Sequence, residues 1–263
     1  FEEGLAKLKH HKIDLLIKVG DPPYEYYVNE ASPKGYVLEQ IFKASLIPPD
    51  TEIKAQKKEI QGKAIRYIDW LFPGILAMNM MFSALWGVGY VVVRYRKNGV
   101  LKRLKVTPLT AFEYLTAQAL SRIFLLMFTL VIVWTGCDLI FSFTVLGSYL
   151  DLFLIFFIGS LSLTALGLIL ASRGTSEEFT TGILNFISWP MMFLSEVWFS
   201  LEGAPKWLTS VAQIFPLTHL LNAVRKIMHD GAGLMDVSFE IAILSLMTLA
   251  FLTVGAALFS WNR

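Results

Sequence analysis

The sequence predicts an all-α polytopic membrane protein with a small α+β extracytoplasmic segment at its start. Three observations predict it. Of 263 residues, 55% are hydrophobic and 17% are charged, against about 45–50% and about 25% in an ordinary soluble domain. The charges are unevenly placed: residues 1–69 hold 11 basic and 11 acidic residues, half of all the charges in the chain. Beyond them lie five separate runs of about 20 apolar residues, the length a helix needs to cross a hydrocarbon core about 30 Å thick. This composition excludes a soluble enzyme, a disordered chain, a nucleic-acid-binding tail and a disulfide scaffold, since the single Cys137 has no second cysteine in the chain to bridge to.

Within residues 1–69, the stretch 5–19 is amphipathic and reads as one helix or as a helix followed by a strand. Asp21-Pro22-Pro23 is a turn, because proline fixes its own φ and restricts its predecessor. Tyr24 to Val28 is aromatic and β-prone. Ser32-Pro33-Lys34-Gly35 reads as another turn, and Gly35 to Ser45 as a helix stopped before Pro48-Pro49. Residues 50–69 are charged and read as a helical approach to the first span. His10-His11 reads as a surface pair rather than a metal site, as neighbouring helical positions diverge and no cysteine or second histidine pair lies nearby.

The apolar runs place spans at 70–93, 115–136, 149–172, 179–199 and 237–259 within a membrane domain of residues 70–263. The connection 94–114 carries Arg94, Arg96, Lys97, Lys102, Arg103 and Lys105 against Glu113 alone. Short loops rich in Lys and Arg stay in the cytoplasm, so this one is assigned inside. The order of spans then puts residues 1–69 and 203–236 outside and the C-terminus inside. The chain opens on Phe1 and shows no signal peptide. The expectation is therefore a further upstream span, six in the intact chain, with a cleaved signal peptide as the alternative.

The 94–114 loop is the most specific stretch. Asn98-Gly99 signals a turn. Val100, Leu101 and Leu104 share one face of a short helix, with Lys102, Arg103 and Lys105 mainly on the other. Pro108 ends that helix near Thr107. Thr110-Ala111-Phe112-Glu113 then fits a capping box that starts the next span. From the residues alone, this basic amphipathic helix is either an anchor on lipid headgroups or a dock for a cytoplasmic partner.

Phe72-Pro73-Gly74 followed by the loop resembles the permease subunits of type-2 ABC transporters. In that family a Pro-Gly opens a span, and a loop with Arg, Gly, spaced leucines and Thr-Pro-Leu follows. Here Arg96, Gly99, Leu101, Leu104, Thr107, Pro108 and Leu109 match. A second match lies about 100 residues on, in Pro216, Leu217, Thr218, His219 and Arg225. The resemblance covers about residues 70–263. The family's acidic residue after the arginine is Lys97 here, so any ion pair made by that acid is lost.

The resemblance implies that the loop holds a coupling helix, with Arg96, Gly99, Leu101, Arg103, Leu104 and Pro108 forming the contact with an ATP-binding subunit. It implies two such subunits and a second permease copy, as a homodimer or a related heterodimer. The chain has no GxxxxGK[ST] sequence; ATP and Mg are therefore expected on the partner, with no cofactor in this chain. Replacing Leu101 and Leu104 with Asp is expected to uncouple the ATPase while leaving the spans inserted. Residues 203–236 resemble the family's short re-entrant outer helices, which makes Pro216, His219 and Arg225 candidates for an outer gate, with a structural lid as the alternative.

Charges inside spans flag function by default. Arg122 either snorkels to headgroups or lines a substrate path, and Glu196 lies at the outer rim of its span or on the same path. No Asp pair, HExxH or Gly-x-Ser-x-Gly lies in the spans, so no catalytic or metal site is assigned. The expected function is the membrane subunit of an ATP-driven exporter of hydrophobic or amphipathic substrates in the bacterial inner membrane, meeting the lipid bilayer and, through its outer segment, a periplasmic adaptor. A polysaccharide or lipid-linked glycan exporter is the alternative, as is a non-transporting scaffold or sensor driven by an ATPase.

Overall fold

The computed structural model describes residues 1–9, 13–20, 23–29, 32–45, 56–60, 66–173 and 176–258. The chain divides into two compact units, Phe1–Tyr67 and Ile68–Arg263.

The first unit contains α1 (Glu2–Lys9), β1 (Leu15–Lys18), β2 (Glu25–Asn29), α2 (Pro33–Ser45) and β3 (Gln56–Ile60). β2 is the central strand, antiparallel to β1 with Leu15 opposite Val28, and parallel to β3 with Glu25 opposite Gln56. Its Tyr26, Tyr27 and Val28 are buried. The Asn29 side-chain amide donates to the Leu8 carbonyl at 3.1 Å, fixing the end of α1 to the sheet. The Tyr26 hydroxyl donates to Glu39 of α2 at 3.0 Å. Burial, with that carboxylate beside it, pushes the phenol above its usual range.

Residues 5–19 thus follow the helix-then-strand alternative, and an α+β arrangement is present. Two expectations are corrected. The supposed helical approach at 50–69 contains β3. Its Lys57-Lys58-Glu59 run suits a charged edge strand as well as a helix, and parallel pairing with β2 decides between them. The supposed turn at Ser32-Pro33-Lys34-Gly35 is a helix start: the Ser32 hydroxyl accepts from the Gly35 amide at 3.2 Å, and Pro33 takes the first helical position. His10-His11, Asp21-Pro22 and Pro48-Pro49 lie outside the described residues.

The second unit is helical among its described residues. α3 (Tyr67–Ala84), a π-helical segment (Leu85–Tyr90) and α4 (Val91–Lys97) follow one another directly, then α5 (Val100–Lys105), α6 (Ala111–Phe141), α7 (Tyr149–Arg173), α8 (Glu177–Leu194), α9 (Lys206–Ala212), α10 (Pro216–Asp230) and α11 (Ser238–Leu258). Among the described residues, four stretches are long and apolar enough to cross a membrane: Tyr67–Lys97, Glu113–Phe141, Tyr149–Leu170 and Ser238–Leu258. They coincide with four of the five expected spans. The expected fifth, at 179–199, is α8, which stops at Leu194 and is not among the four. Thr180 and Ser188 face its packed side, and Glu196 ends the run in a left-handed conformation at φ 60°.

α7 is the hub of this unit, packing on α11, the π-helical segment, α10 and α6. Its Leu152, Ile155, Phe156 and Leu163 sit in the core. Gly159 brings it close to α10, where an added methyl would stand 2.7 Å from Leu220. Phe72 and Phe143 stack with centroids 4.0 Å apart, and Trp134 meets Phe72 edge-on. α6 and α11 turn large apolar side chains outward, among them Phe124, Leu139 and Leu246. Such faces fit acyl chains, which satisfy them as a protein core would.

Candidate functional site

The loop after α4 is built by one glycine. The Asn98 amide donates to the Arg94 carbonyl at 3.0 Å and the Gly99 amide to that of Arg96 at 3.2 Å. Gly99 then takes φ 72° with open space around it. A side chain would fit there, but the left-handed backbone favours glycine. α5 starts at once and folds its apolar face back onto its own chain. Leu101 is fully buried with Val88, Val92, Tyr114 and Leu168, and Leu104 packs at the edge of that cluster. Lys102 and Arg103 stay exposed, and Val106 is bare. The Thr107 hydroxyl donates to the Leu104 carbonyl at 2.6 Å and closes the helix before exposed Pro108. The expected capping box is present: Thr110 and Glu113 bond reciprocally at the start of α6.

Arg96 is buried, and its guanidinium donates to the Ser172 carbonyl at 3.3 Å. A cation at the end of α7 is favoured there by the helix dipole. Lys97, where the family carries an acid, lies 3.5 Å from Glu177 at the start of α8. The same carboxylate accepts from Tyr90 at 2.8 Å. Of the six expected coupling residues, Arg96 and Leu101 therefore face inward, Leu104 is half-buried, Gly99 makes the turn, and Arg103 and Pro108 are presented.

The second motif makes a helical hairpin. Pro216 opens α10, where its missing N–H costs nothing. Thr218 donates to the Ala212 carbonyl at 2.6 Å and accepts from the Ser195 hydroxyl, 2.9 Å away. A His219 ring nitrogen lies 2.8 Å from the Gln213 carbonyl. The Thr-His pair thus closes the end of α9, whose last carbonyls have no helical partner. Thr218→Val should lower stability by about 1–3 kcal/mol, since it removes the buried hydroxyl bonded to both the Ala212 carbonyl and the Ser195 hydroxyl. A fall in Tm of the purified protein in detergent, with Thr218→Ser close to the unaltered chain, is the expected reading.

Arg225 and Glu196 meet, which the sequence did not reveal. Arg225 donates to the Glu196 backbone carbonyl at 2.6 Å and lies 3.6 Å from its carboxylate. Its guanidinium stands 4.0 Å above the Trp70 ring. The other carboxylate oxygen of Glu196 accepts from the Leu201 amide at 3.0 Å. Val197, next in the chain, comes so close to Gly74 that an added methyl would stand 2.7 Å from its carbonyl oxygen. The Pro-Gly of α3 is thus where the segment after α8 approaches. Arg122 belongs to a different place: it donates from Nε to the Ser83 carbonyl at 2.7 Å, and again from Nη2. Arg122 is thus bonded to α3, and Glu196 to α10 and to the Leu201 amide.

Residues 2–257 match the family described as ABC-2 family transporter protein. The chain belongs to this family. The match takes in the first unit as well as the spans, further than the two motifs reach. Similar proteins include the probable multidrug ABC transporter permease YbhR of Escherichia coli K12, 26% identical over 197 residues that make up 74% of this chain and 52% of YbhR. The inner membrane transport permease YhhJ of the same organism is 27% identical over 197 residues, covering 72% of this chain and 50% of YhhJ. The daunorubicin resistance ABC transporter permease protein DrrB1 of Streptomyces coeruleorubidus is 27% identical over 99 residues, 38% of this chain and 34% of DrrB1. The chain spans about half the length of the first two. With four candidate spans, this ABC-2 family member is a multi-pass membrane protein.

Sequence reasoning missed Trp70, Ser83, Tyr90 and Glu177 as parts of these constellations. Ser83 contributes a backbone carbonyl, which has no signature in sequence. Tyr90 and Glu177 are 87 residues apart and meet only through the packing of α8 beside the π-helical segment.

Proposed function

We propose that the chain is the membrane-spanning subunit of an ATP-driven exporter, coupled through residues 94–114 to a separate ATP-binding subunit. The observation that carries this reading is the posture of α5. Its apolar face is spent on its own helices, while Lys102, Arg103 and Val106 face outward between α4 and α6. A headgroup anchor would lay its apolar face into the lipid boundary. Here that face is occupied, and what remains is a rigid basic ridge suited to a protein groove.

In this reading the ridge is cytoplasmic, residues 1–69 are extracytoplasmic, and the C-terminus is cytoplasmic in a bacterial inner membrane. Two permease copies enclose the path, by default as a homodimer, and two ATP-binding subunits carry ATP and Mg. The substrate is hydrophobic or amphipathic, in keeping with the apolar spans. YbhR is named as a probable multidrug permease and DrrB1 as a daunorubicin resistance permease, which lends this class support. The outer segment is where a periplasmic adaptor would bind, and the α9–α10 hairpin is placed at the outer end of the path.

The test is charge reversal on the ridge. Lys102→Glu with Arg103→Glu is expected to abolish copurification of the ATP-binding subunit and ATP-dependent transport. Expression and Tm of the permease should stay within the small range usual for exposed substitutions, about ±0.5 kcal/mol. Unchanged copurification and transport would remove the docking role.

A further inference from the structure

Arg122, within α6, reaches across to α3. Its guanidinium holds a backbone carbonyl at the one place where the longest span changes register. In an α-helix the Ser83 carbonyl accepts from the amide four residues on, which is Gly87. From Leu85 to Tyr90 the chain is π-helical, with bonds five residues apart, so the spacing of the ladder changes just after Ser83. The Ser83 carbonyl stands at that change, and Arg122 of α6 donates to it from both Nε and Nη2.

The break is fitted closely on every side that packs against it. A methyl on Gly87 would coincide with the Arg122 guanidinium. A methyl on Gly89 would stand 3.3 Å from Leu184 of α8 and 3.4 Å from the Gly167 carbonyl of α7. A methyl on Gly167 would stand 3.2 Å from the Ala84 carbonyl. On its far side the segment connects directly to the coupling loop. Val88, inside the break, and Val92, just after it, are the residues on which Leu101 of α5 is buried. Tyr90, its last residue, is tied to Glu177 at the start of α8.

We propose that Arg122 is a positioning residue for transport: it holds the π-register break so that displacement of α5 is passed through Val88 and Val92 to α3. This rests on the coupling reading above, because it supplies the route by which a push on the loop reaches the span. The physical logic is that of a packed bistable element. With Arg122 in place, the turn at Ser83 and Gly87 is clamped to α6 and α3 moves with α4. Without it, that turn loses its clamp, the break can migrate, and movement is absorbed where it enters. A charged residue inside a span is costly to insert, and two donated hydrogen bonds to the Ser83 carbonyl offset part of this cost.

The experiment uses the full chain with its ATP-binding subunit in lipid nanodiscs, in a Cys137→Ser background. Spin-label pairs join exposed Leu246 of α11 to Tyr95 of α4 and, separately, to exposed Asn79 of α3. Each pair is compared without nucleotide and with ATP plus orthovanadate. In the unaltered complex both distances should shift. Arg122→Met removes a charge from a spanning helix, so insertion is favoured rather than impaired. It should leave the Tyr95 shift intact and cut the Asn79 shift by about twofold or more, a coupling loss of the size carried by such networks.

Arg122→Lys, whose ammonium can still donate to Ser83, should restore most of the Asn79 shift. Gly87→Ala should mimic Arg122→Met, and adding it to Arg122→Met should change nothing more, the non-additivity of two parts of one unit. A full Asn79 shift in Arg122→Met would overturn the proposal. Equal loss at both sites would also overturn it, as that is the mark of a merely structural arginine. No Tyr95 shift in the unaltered complex would instead overturn the coupling reading, and this proposal with it.

Discussion

Arg225→Leu should lower stability by about 3 kcal/mol or more, the cost of breaking a buried ion pair from one side, and should abolish transport. Arg225 has a side-chain exposure of 12% and Glu196 of 31%, so solvent does little to replace the lost partner. Three interactions go together: the bond to the Glu196 carbonyl, the attraction to its carboxylate and the stack on Trp70. The backbone at Glu196 makes the loss larger. A non-glycine residue at φ 60° is held against its preference, and Arg225 grips the carbonyl that this conformation turns outward. Without the grip, the exit from α8 is free to relax and the α9–α10 hairpin loses its tie to α3.

Arg225→Lys should recover the charge but not the fork or the stack, and so fall between the two. Glu196→Gln with Arg225→Leu should cost less than the sum of the single changes. Thermal unfolding in detergent and transport into inverted vesicles are the measurements. A Tm for Arg225→Leu within a degree or so of the unaltered chain would mean that the pair does not hold the hairpin.

What was legible in the sequence follows from what has a local physical cause. The apolar runs locate four helices because the bilayer demands length and apolarity together. Asn98-Gly99 and Thr110 to Glu113 mark the loop because turn and cap chemistry act within a few residues. α8 was read too long at its end since the apolar run continues through Val197 to Phe199, and only the left-handed Glu196 stops the helix. The π-helical segment was invisible because nothing local marks it, and Arg122, which donates to the carbonyl just before it, lies 39 residues further along the sequence. β3 was misread because a run of Lys and Glu is compatible with either a helix or an edge strand until β2 pairs with it. At the site, residue types identified Arg225 and Glu196 one at a time. Their meeting depends on how α10 folds back along the end of α8, which no spacing within either segment encodes.

Leu101→Asp carries the other large expected effect, and the structure changes why. From sequence, Leu101 and Leu104 read as contact residues whose loss would free the ATP-binding subunit from an otherwise intact permease. Leu101 is instead fully buried against Val88, Val92, Tyr114 and Leu168. An aspartate there would be an unpaired carboxylate among apolar side chains, costing at least ~3 kcal/mol. Leu101→Ala should cost about 2–5 kcal/mol as a cavity, although a short helix at the edge of a bundle can settle into the gap.

The predicted failure therefore runs through α5 itself: it undocks, and the ridge of Lys102 and Arg103 is no longer held in place. Trypsin separates this from a lost contact, as Lys102 and Arg103 are its substrates and are protected from cleavage while α5 stays a packed helix. Leu101→Asp should raise cleavage at these residues and abolish copurification of the ATP-binding subunit, whereas Leu101→Met should preserve both properties. Reversing the ridge charges would also end copurification, but with α5 still docked. If Leu101→Asp lost the partner while trypsin resistance in the loop was unchanged, Leu101 would touch the partner directly and the inward packing of α5 would not describe the coupled state.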